Sequence, residues 1–219
     1  MVKLEQNLWV IRGRVPGAPL TRWMTLARLA DGRLVVHGAM ALEEPLMAEI
    51  EAFGRPAFLV VPNGFHRLDA HAWKTRYPEM TVLCPALSAG KVAQLVPVDG
   101  HYDAFPSDPD VRLETLEGTK EGVLHVRSAG RVSLAFTDAI FNMPHAGGFN
   151  GFVLRIIGSS GGPKVTPIFR MAGMTSRPPF RAHLERLANT PGLTRLVVAH
   201  GDLIEDRASE ILKQVAARL

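Results

Sequence analysis

Short runs rich in apolar and β-branched residues, bounded by polar and glycine residues, occupy the first third of the chain, and such runs are typical of strands. Three such runs cover residues 8–11, 24–29 and 33–37, and Asp31-Gly32 stands between the last two. Asp-Gly supplies the positive φ that a tight hairpin turn requires. The pattern therefore predicts a small antiparallel sheet at the start of the chain.

The spacing of apolar residues changes to that of a helix after this sheet. Between Leu42 and Phe53 the large apolar side chains stand three and four residues apart, and Gly54 follows as a helix stop. The next predicted elements are a buried strand at 57–61, a short helix at 69–77, a strand at 81–84 and a helix at 88–95. Strands that alternate with helices indicate a sheet with helices packed against it.

The second half of the chain repeats this order. Strand patterns at 111–116, 122–128 and 131–136 precede a Gly- and Pro-rich excursion with short helices, then a helix at 180–188, a strand at 196–199 and a helix at 204–219. We therefore predict an α/β (α+β) fold in one domain, 1–219, with similar halves at 1–105 and 106–219. Two such halves packed sheet on sheet give a four-layer αββα sandwich of two mixed sheets flanked by helices.

Composition narrows the class of protein. The 219 residues are 47% hydrophobic and 21% charged, which is typical of a folded globular protein. The formal charge is only +4, with no long Lys/Arg run, and this argues against nucleic-acid binding. A single cysteine rules out an internal disulfide and a multi-cysteine zinc site. The N-terminus lacks the apolar core of a signal peptide, and no apolar run reaches the roughly 18 residues of a membrane span, so we expect a cytoplasmic protein without membrane contact.

The first candidate for chemistry is the segment 63–71, which follows the buried strand at 57–61. It contains His66, Asp69 and His71, whose side chains can supply nitrogen and oxygen ligands to zinc, iron or manganese. The alternative is structural: Asp69 is a good N-cap for the next helix, and His71 is then an ordinary first-turn residue.

Two further candidates also stand where apolar strands end. Asp138 comes two residues after a strand that ends at Phe136, and a carboxylate there needs a hydrogen bond, an ion pair or a cation. His200 follows the strand at 196–199, and Gly201 allows the backbone to turn tightly beside the ring. A turn-forming aspartate and a hydrogen-bonded histidine are the structural alternatives.

The Gly- and Pro-rich excursion bears on the ligand. No Asp or Glu occurs between Asp138 and Glu185. The basic residues of that span are Arg155, Lys164, Arg170, Arg177 and Arg181. If the excursion covers the pocket, it attracts a small anionic ligand, although solvated or paired side chains explain the same pattern. We take Asn63, His145 and Arg170 as candidate substrate-binding residues. Of these, His145 lies just beyond Asp138 in the chain.

Read in order, the three strand-and-loop motifs resemble those of the metallo-β-lactamase superfamily. The corresponding stretches are AFLVV-PNGFHRLDAH, VSLAF-TD and LVVA-HGD, and the likeness covers nearly the whole chain. The chain also resembles a branch of that superfamily of unknown function, in which the first motif takes the form Pro-Asn-x-x-His. The resemblance implies the αββα sandwich and a pocket where the three motifs meet.

The metal motifs depart from the superfamily pattern. The usual His-x-His-x-Asp-His is missing: Asn63 stands near the first histidine, His66 near the second, and Asp69 and His71 are offset candidates for the rest. Thr119 stands where a third-strand histidine is expected. The resemblance therefore implies that a full dinuclear zinc site is absent.

Two functions remain open at this stage. One is a metal-dependent hydrolase of a small anionic ester, amide or phosphoester, with Asp138 as a bridging, catalytic carboxylate. In this case one zinc, iron or manganese ion is held by residues drawn from His66, Asp69, His71, Asp138 and His200. The other is a non-catalytic relative whose pocket binds a metabolite or a partner protein. A homodimer is also left open.

Overall fold

Two β-sheets lie face to face in the structure, a computed structural model that describes residues 1–15, 18 and 20–219. The first sheet has six strands in the order β1 (Val2–Glu5), β2 (Leu8–Arg14), β3 (Thr21–Arg28), β4 (Arg33–His37), β5 (Arg55–Val60) and β6 (Thr81–Leu83). Strands β1 to β4 are antiparallel, and β2 to β4 are the three strands that the sequence predicts, whereas β4, β5 and β6 are parallel.

The second sheet contains four strands from the second half of the chain. In chain order the strands of this half are β7 (Val111–Thr115), β8 (Gly122–Ser128), β9 (Arg131–Phe136), β10 (Phe141–Met143), β11 (Gly162–Lys164) and β12 (Leu193–Val198). The sheet order is β12-β9-β8-β7, in which only the β12–β9 pair is parallel, and β10 and β11 form a separate hairpin. Both principal sheets are therefore mixed.

Seven α-helices accompany the sheets in the described part of the chain. They are α1 (Glu44–Phe53), α2 (Ala70–Arg76), α3 (Ala89–Val92), α4 (Gly148–Ile156), α5 (Pro167–Ala172), α6 (Arg177–Ala188) and α7 (Ala208–Ala217). The last helix starts later than the sequence predicts, because Ile204 still exchanges backbone hydrogen bonds with Leu196 of β12. Among the described helices, none has the length and apolar character needed to cross a bilayer.

Three apolar clusters fill the spaces between four layers. One packs α1, α2 and α3 against the first sheet through residues such as Ile50 and Trp73. A second lies between the two sheets, and a third packs α6 and α7 on the second sheet around Phe136 and Phe180. Each fully buried large side chain contributes about 1.5–3 kcal/mol, so the three clusters are the main source of stability. This arrangement confirms the predicted αββα sandwich.

The carboxyl ends of three strands meet at one edge of the sandwich. β9 and β12 are parallel neighbours, with Phe136 opposite Val198. The first sheet is tied to the same edge by a hydrogen bond of 2.9 Å from the Trp23 N–H to the Ala199 carbonyl. The loops that follow β5, β9 and β12 are therefore brought together, and they carry the candidate residues.

Candidate metal centre

His66, Asp138 and His200 form one compact group at this edge. One nitrogen of each histidine and one Asp138 oxygen all lie within 4.8 Å of one another. Asp138 Oδ1 is 3.4 Å from His66 Nε2 and 3.3 Å from His200 Nε2. Ligand atoms around a tetrahedral zinc ion, each about 2.1 Å from the metal, lie about 3.4 Å apart. The predicted meeting of these three side chains is thus found, with separations that suit a metal.

Local backbone structure positions two of the three side chains. Asn63 Oδ1 accepts hydrogen bonds from the Phe65 and His66 N–H groups, at 2.8 and 3.0 Å, and so forms the turn that presents His66. Gly201 has φ +104°, and a Cβ there would collide with the Asn142 carbonyl. Only glycine fits this approach after His200, in agreement with the turn that the sequence predicts.

The second ring nitrogen of His200 determines where the proton resides. Nδ1 lies 2.9 Å from the Thr21 carbonyl oxygen, which can only accept, so Nδ1 carries the hydrogen. In the neutral ring Nε2 then points a lone pair at the Asp138 carboxylate. This contact is repulsive unless a proton or a metal ion lies between the two atoms. A backbone carbonyl that holds the far nitrogen is a common support of metal-binding histidines.

Asp138 is held in its charged form. Burial by itself would raise the pKa of the carboxyl, but positive charge on the His66 and His200 imidazoles outweighs burial and holds the pKa well below the ordinary value. The anionic carboxylate is the form that binds a cation. Two nitrogens and one carboxylate oxygen are a donor set that zinc, iron and manganese accept, so these residues fit one divalent metal.

Asn63 and Glu121 complete a hydrogen-bonded network behind Asp138. The Asn63 amide nitrogen lies 2.7 Å from Glu121 Oε2, 2.8 Å from Asp138 Oδ2 and 3.1 Å from Thr137 Oγ1. Its two hydrogens are therefore shared among three acceptors. Asn63, for which substrate binding is predicted from the sequence, contacts Asp138 and the turn before His66 in the structure.

Glu121 is the residue that sequence reasoning missed. Its fully buried carboxylate accepts from the backbone N–H groups of Thr137, Asp138 and Ala139 at 2.8 to 3.2 Å. Burial raises the pKa of Glu121, and the Asp138 charge raises it further. An acid directly before the apolar strand β8 is a signal that could have identified it.

Thr119, which the motif comparison puts at the third-strand histidine position, lies in the turn before β8. The Thr119 hydroxyl donates to the Leu116 carbonyl, at 2.9 Å, and accepts from the Glu121 N–H, at 3.1 Å, so it closes a local turn. The side chain from this segment that reaches the Asp138 loop is that of Glu121, two residues further on.

Asp69 and His71 are not part of the group. Asp69 stands at the N-cap position of α2 without a capping hydrogen bond, and its carboxylate pairs with the nearly buried guanidinium of Arg22. His71 is exposed in the first turn of α2, as the structural alternative predicts, and its Nε2 lies 3.5 Å from Thr75 Oγ1. A ligand set that includes either residue has no support in this geometry.

The remaining candidates also lie elsewhere. His145 is exposed and its Nδ1 is 2.9 Å from Ser160 Oγ, whereas Arg170 donates to the Arg218 carbonyl at 2.9 Å. The five basic residues of the excursion do not line the cavity beside the metal candidates. The sequence argument for an anionic ligand therefore loses its structural basis.

A cavity of about 240 Å³ opens beside the three metal candidates. His66, Asp138, His200 and Arg22 contribute polar atoms to it, and most other described lining residues are apolar. The apolar ones are Val15, Leu20, Phe65, Leu68, Phe141, Leu154, Ile157, Ile168 and Phe169. Arg22 is the one cation among the described lining residues, and Asp69 neutralises it.

The sandwich and the place of the His/Asp/His group at the strand ends are features of a metallo-β-lactamase-like fold. A metallo-β-lactamase from Pontibacter korlensis matches 100% of this chain with 98% of its own, at a TM-score of 0.66 and 11% identity. The metallo-β-lactamase FIM-1 from Pseudomonas aeruginosa, in a mono-zinc form, matches 99% of this chain with 94% of its own, at a TM-score of 0.61 and 10% identity.

A third metallo-β-lactamase, from Hirschia baltica, matches 99% of this chain with 95% of its own, at a TM-score of 0.61 and 13% identity. No protein-family model matches the chain, and no curated protein is similar to it in sequence. At these identities the likeness confirms the predicted metallo-β-lactamase-like fold, and the fold alone.

Proposed function

We propose that the protein is a metal-dependent hydrolase of an ester, amide or phosphoester, with one divalent ion held by His66, Asp138 and His200. The observation that carries the proposal is the convergence of the two Nε2 atoms on one Asp138 oxygen, at 3.4 and 3.3 Å. Three protein ligands are the usual number in catalytic zinc sites, because a further position stays open. The mono-zinc form of FIM-1 shares the fold and supports a single ion here.

Each neighbouring residue has a definite part in this proposal. Thr21 holds the His200 proton at Nδ1, so that Nε2 is free to act as a ligand. Asn63 donates to Asp138 Oδ2 at 2.8 Å and leaves Oδ1 for the cation. When bound, a zinc, iron or manganese ion supplies Lewis-acid polarisation of the scissile carbonyl or phosphoryl group and an acidified water. The apolar cavity walls exclude bulk water and strengthen the electrostatic contacts inside.

The test combines elemental analysis with hydrolysis assays. Protein purified without chelator is expected to hold about one zinc, iron or manganese atom per chain and to cleave p-nitrophenyl acetate, a p-nitroanilide or bis-p-nitrophenyl phosphate. Losing an outer partner of a metal ligand typically costs 10- to 100-fold, so Asp138→Asn is expected to lower metal affinity and rate by about 100-fold or more.

The matched control is Asp202→Asn, the same substitution at an exposed residue that pairs with Arg12, and it should leave both readouts unchanged. Metal content far below one atom per chain, with no uptake on titration of zinc, iron(II) and manganese(II), would contradict the proposal.

A second function is a non-catalytic relative that binds a metabolite or a partner protein. The observation in its favour is the closed network around Asn63, whose amide satisfies Asp138 and Glu121 without any cation. In that case both imidazoles carry protons towards Asp138, and chelators leave the melting temperature unchanged. A fall of several degrees on chelation would exclude this second function.

A further inference from the structure

The cavity beside His66, Asp138 and His200 has walls suited to a hydrocarbon group. Nine of its fifteen described lining residues are apolar. Four of these are also strongly exposed: Phe65 at 47%, Leu68 at 53%, Ile157 at 38% and Ile168 at 54%. Large apolar side chains that are exposed and line a concave surface mark a site where an apolar ligand displaces water.

We propose that this cavity binds the apolar part of the substrate, a short acyl chain or an aromatic ring, with the scissile carbonyl beside His66, Asp138 and His200. The substrate class, an acyl or aryl ester or amide, rests on the proposed function. The three polar residues and the apolar walls line the same cavity, so a group seated against the walls has its carboxyl end next to the metal candidates.

The volume of the cavity limits the size of this group. A buried apolar cavity of about 150 Å³ is known to bind benzene, and drug-sized ligands occupy pockets of about 300 Å³ or more. The cavity here has about 240 Å³. It therefore accommodates one ring or a chain of several carbons, and a bulky polycyclic group does not fit.

The charge of the cavity walls also favours a neutral substrate over the anionic one that the sequence predicts. A desolvated carboxylate or phosphate needs a cationic partner in an apolar site. Arg22 is the cationic residue among the described walls, and its guanidinium is already paired with Asp69. A neutral hydrocarbon group needs no such partner.

The test is a series of p-nitrophenyl esters from acetate to octanoate, assayed with metal-loaded protein. Hydrolysis joins a water oxygen to the acyl carbon and breaks the bond to p-nitrophenolate; the water protons go to solvent. Each methylene that enters the cavity is expected to raise kcat/KM about 4-fold until the cavity is full.

Two pairs of variants locate the effect. Ile157→Trp fills the cavity from the residue that follows α4, and Ile156→Trp adds the same bulk one residue earlier, where the side chain is exposed and does not line the cavity. Ile168→Trp and Met171→Trp form the same pair on α5. The cavity variants should lower the ratio of kcat/KM for the hexanoate to that for the acetate about 10-fold, while their controls keep the wild-type ratio.

A binding arm keeps this inference separate from the proposed function. Toluene, a neutral one-ring ligand followed by NMR, is expected to bind wild type equally before and after removal of metal with a chelator and to be excluded by Ile157→Trp. Ester hydrolysis that is flat with chain length and indifferent to both tryptophan pairs would overturn the inference and leave the proposed function intact. Probe binding of the expected pattern without hydrolysis of any ester would support the apolar site and contradict the hydrolase.

Discussion

Two clusters in this molecule have the same composition, two histidines and one carboxylate, but opposite hydrogen-bonding arrangements. The first is His66, Asp138 and His200 at the strand-end cavity. The second, which we call the α6 cluster, consists of Glu114, His125 and His183. Glu114 Oε2 is 3.0 Å from His125 Nε2, and Oε1 is 3.0 Å from His183 Nε2. Each histidine of the α6 cluster thus has its own carboxylate oxygen, whereas His66 and His200 share one.

The far ring nitrogens explain the difference. In the α6 cluster His183 Nδ1 accepts from the Glu117 N–H at 3.1 Å, and His125 Nδ1 lies 3.1 Å from an Arg112 nitrogen, which can only donate. Both rings therefore carry their proton on Nε2, the nitrogen that lies 3.0 Å from a Glu114 oxygen. His200 has the reverse arrangement, because its Nδ1 donates to Thr21. The partner on the far side of the ring decides whether the nitrogen that faces a carboxylate carries a proton or a lone pair.

The sharpest way to break this comparison is to remove one histidine from each cluster. His200→Ala is expected to lower metal uptake by about 100-fold or more, since it removes a proposed ligand. His183→Ala is expected to keep one metal per chain but to lose about 2–4 kcal/mol of unfolding free energy, because it leaves buried polar groups without partners. Elemental analysis and urea unfolding measure the two effects. Equal metal loss in both variants would contradict the distinction.

Chelation should distinguish the two clusters through a smaller effect, a change in melting temperature. A metal present at about 100 times its Kd adds about 2.7 kcal/mol, which is about 5–10 °C in melting temperature for a chain of this size. EDTA is expected to lower the melting temperature of wild type and of His125→Ala by this amount, and to leave His66→Ala unchanged. Differential scanning fluorimetry provides the measurement. A chelator response that survives in His66→Ala would show that the metal binds elsewhere.

The smallest expected effect is the loss of unfolding free energy from the α6 cluster at acid pH. The His125 and His183 hydrogen bonds hold the pKa of Glu114 below its ordinary value of 4.5. A depressed carboxyl pKa contributes stability above 4.5 that is lost as pH falls through the lower folded value. Glu114→Gln is expected to lose about 1–3 kcal/mol at pH 7 and to show a shallower further loss below pH 4.5 than wild type.

The control for this last prediction is Glu185→Gln, which removes one partner of the exposed Arg181–Glu185 pair. Exposed pairs contribute about 0.2–1 kcal/mol, so its urea-unfolding curves from pH 7 to pH 3.5 should follow wild type closely. An unchanged acid slope in Glu114→Gln would mean that the Glu114 contacts do not stabilise the fold.

Several parts of the fold could be predicted because they depend on local order. The short apolar-rich runs at 8–11, 24–29 and 33–37 and the Asp31-Gly32 turn lead to strands β2 to β4, since runs of this length that turn residues separate are typical of strands. Strand β1 was missed although Val2 to Glu5 alternate between apolar and polar residues, because the run has only four residues and none of them is buried. The start of α7 was placed too early because Ile204 belongs to a backbone pairing that only the folded chain creates.

The candidate site also has features that the local sequence predicts and features that only the folded chain determines. His66, Asp138 and His200 can be selected from the sequence, because each follows an apolar strand and the ends of parallel strands meet at one edge. Their protonation, the pairing of Asp69 with Arg22 and the burial of Glu121 depend on residues far apart in the chain, such as Thr21 and His200. Periodicity reports which face of an element is apolar, whereas hydrogen-bond direction is decided only when distant loops pack. The strand ends were therefore determined by local pattern, and the chemistry at them by tertiary contact.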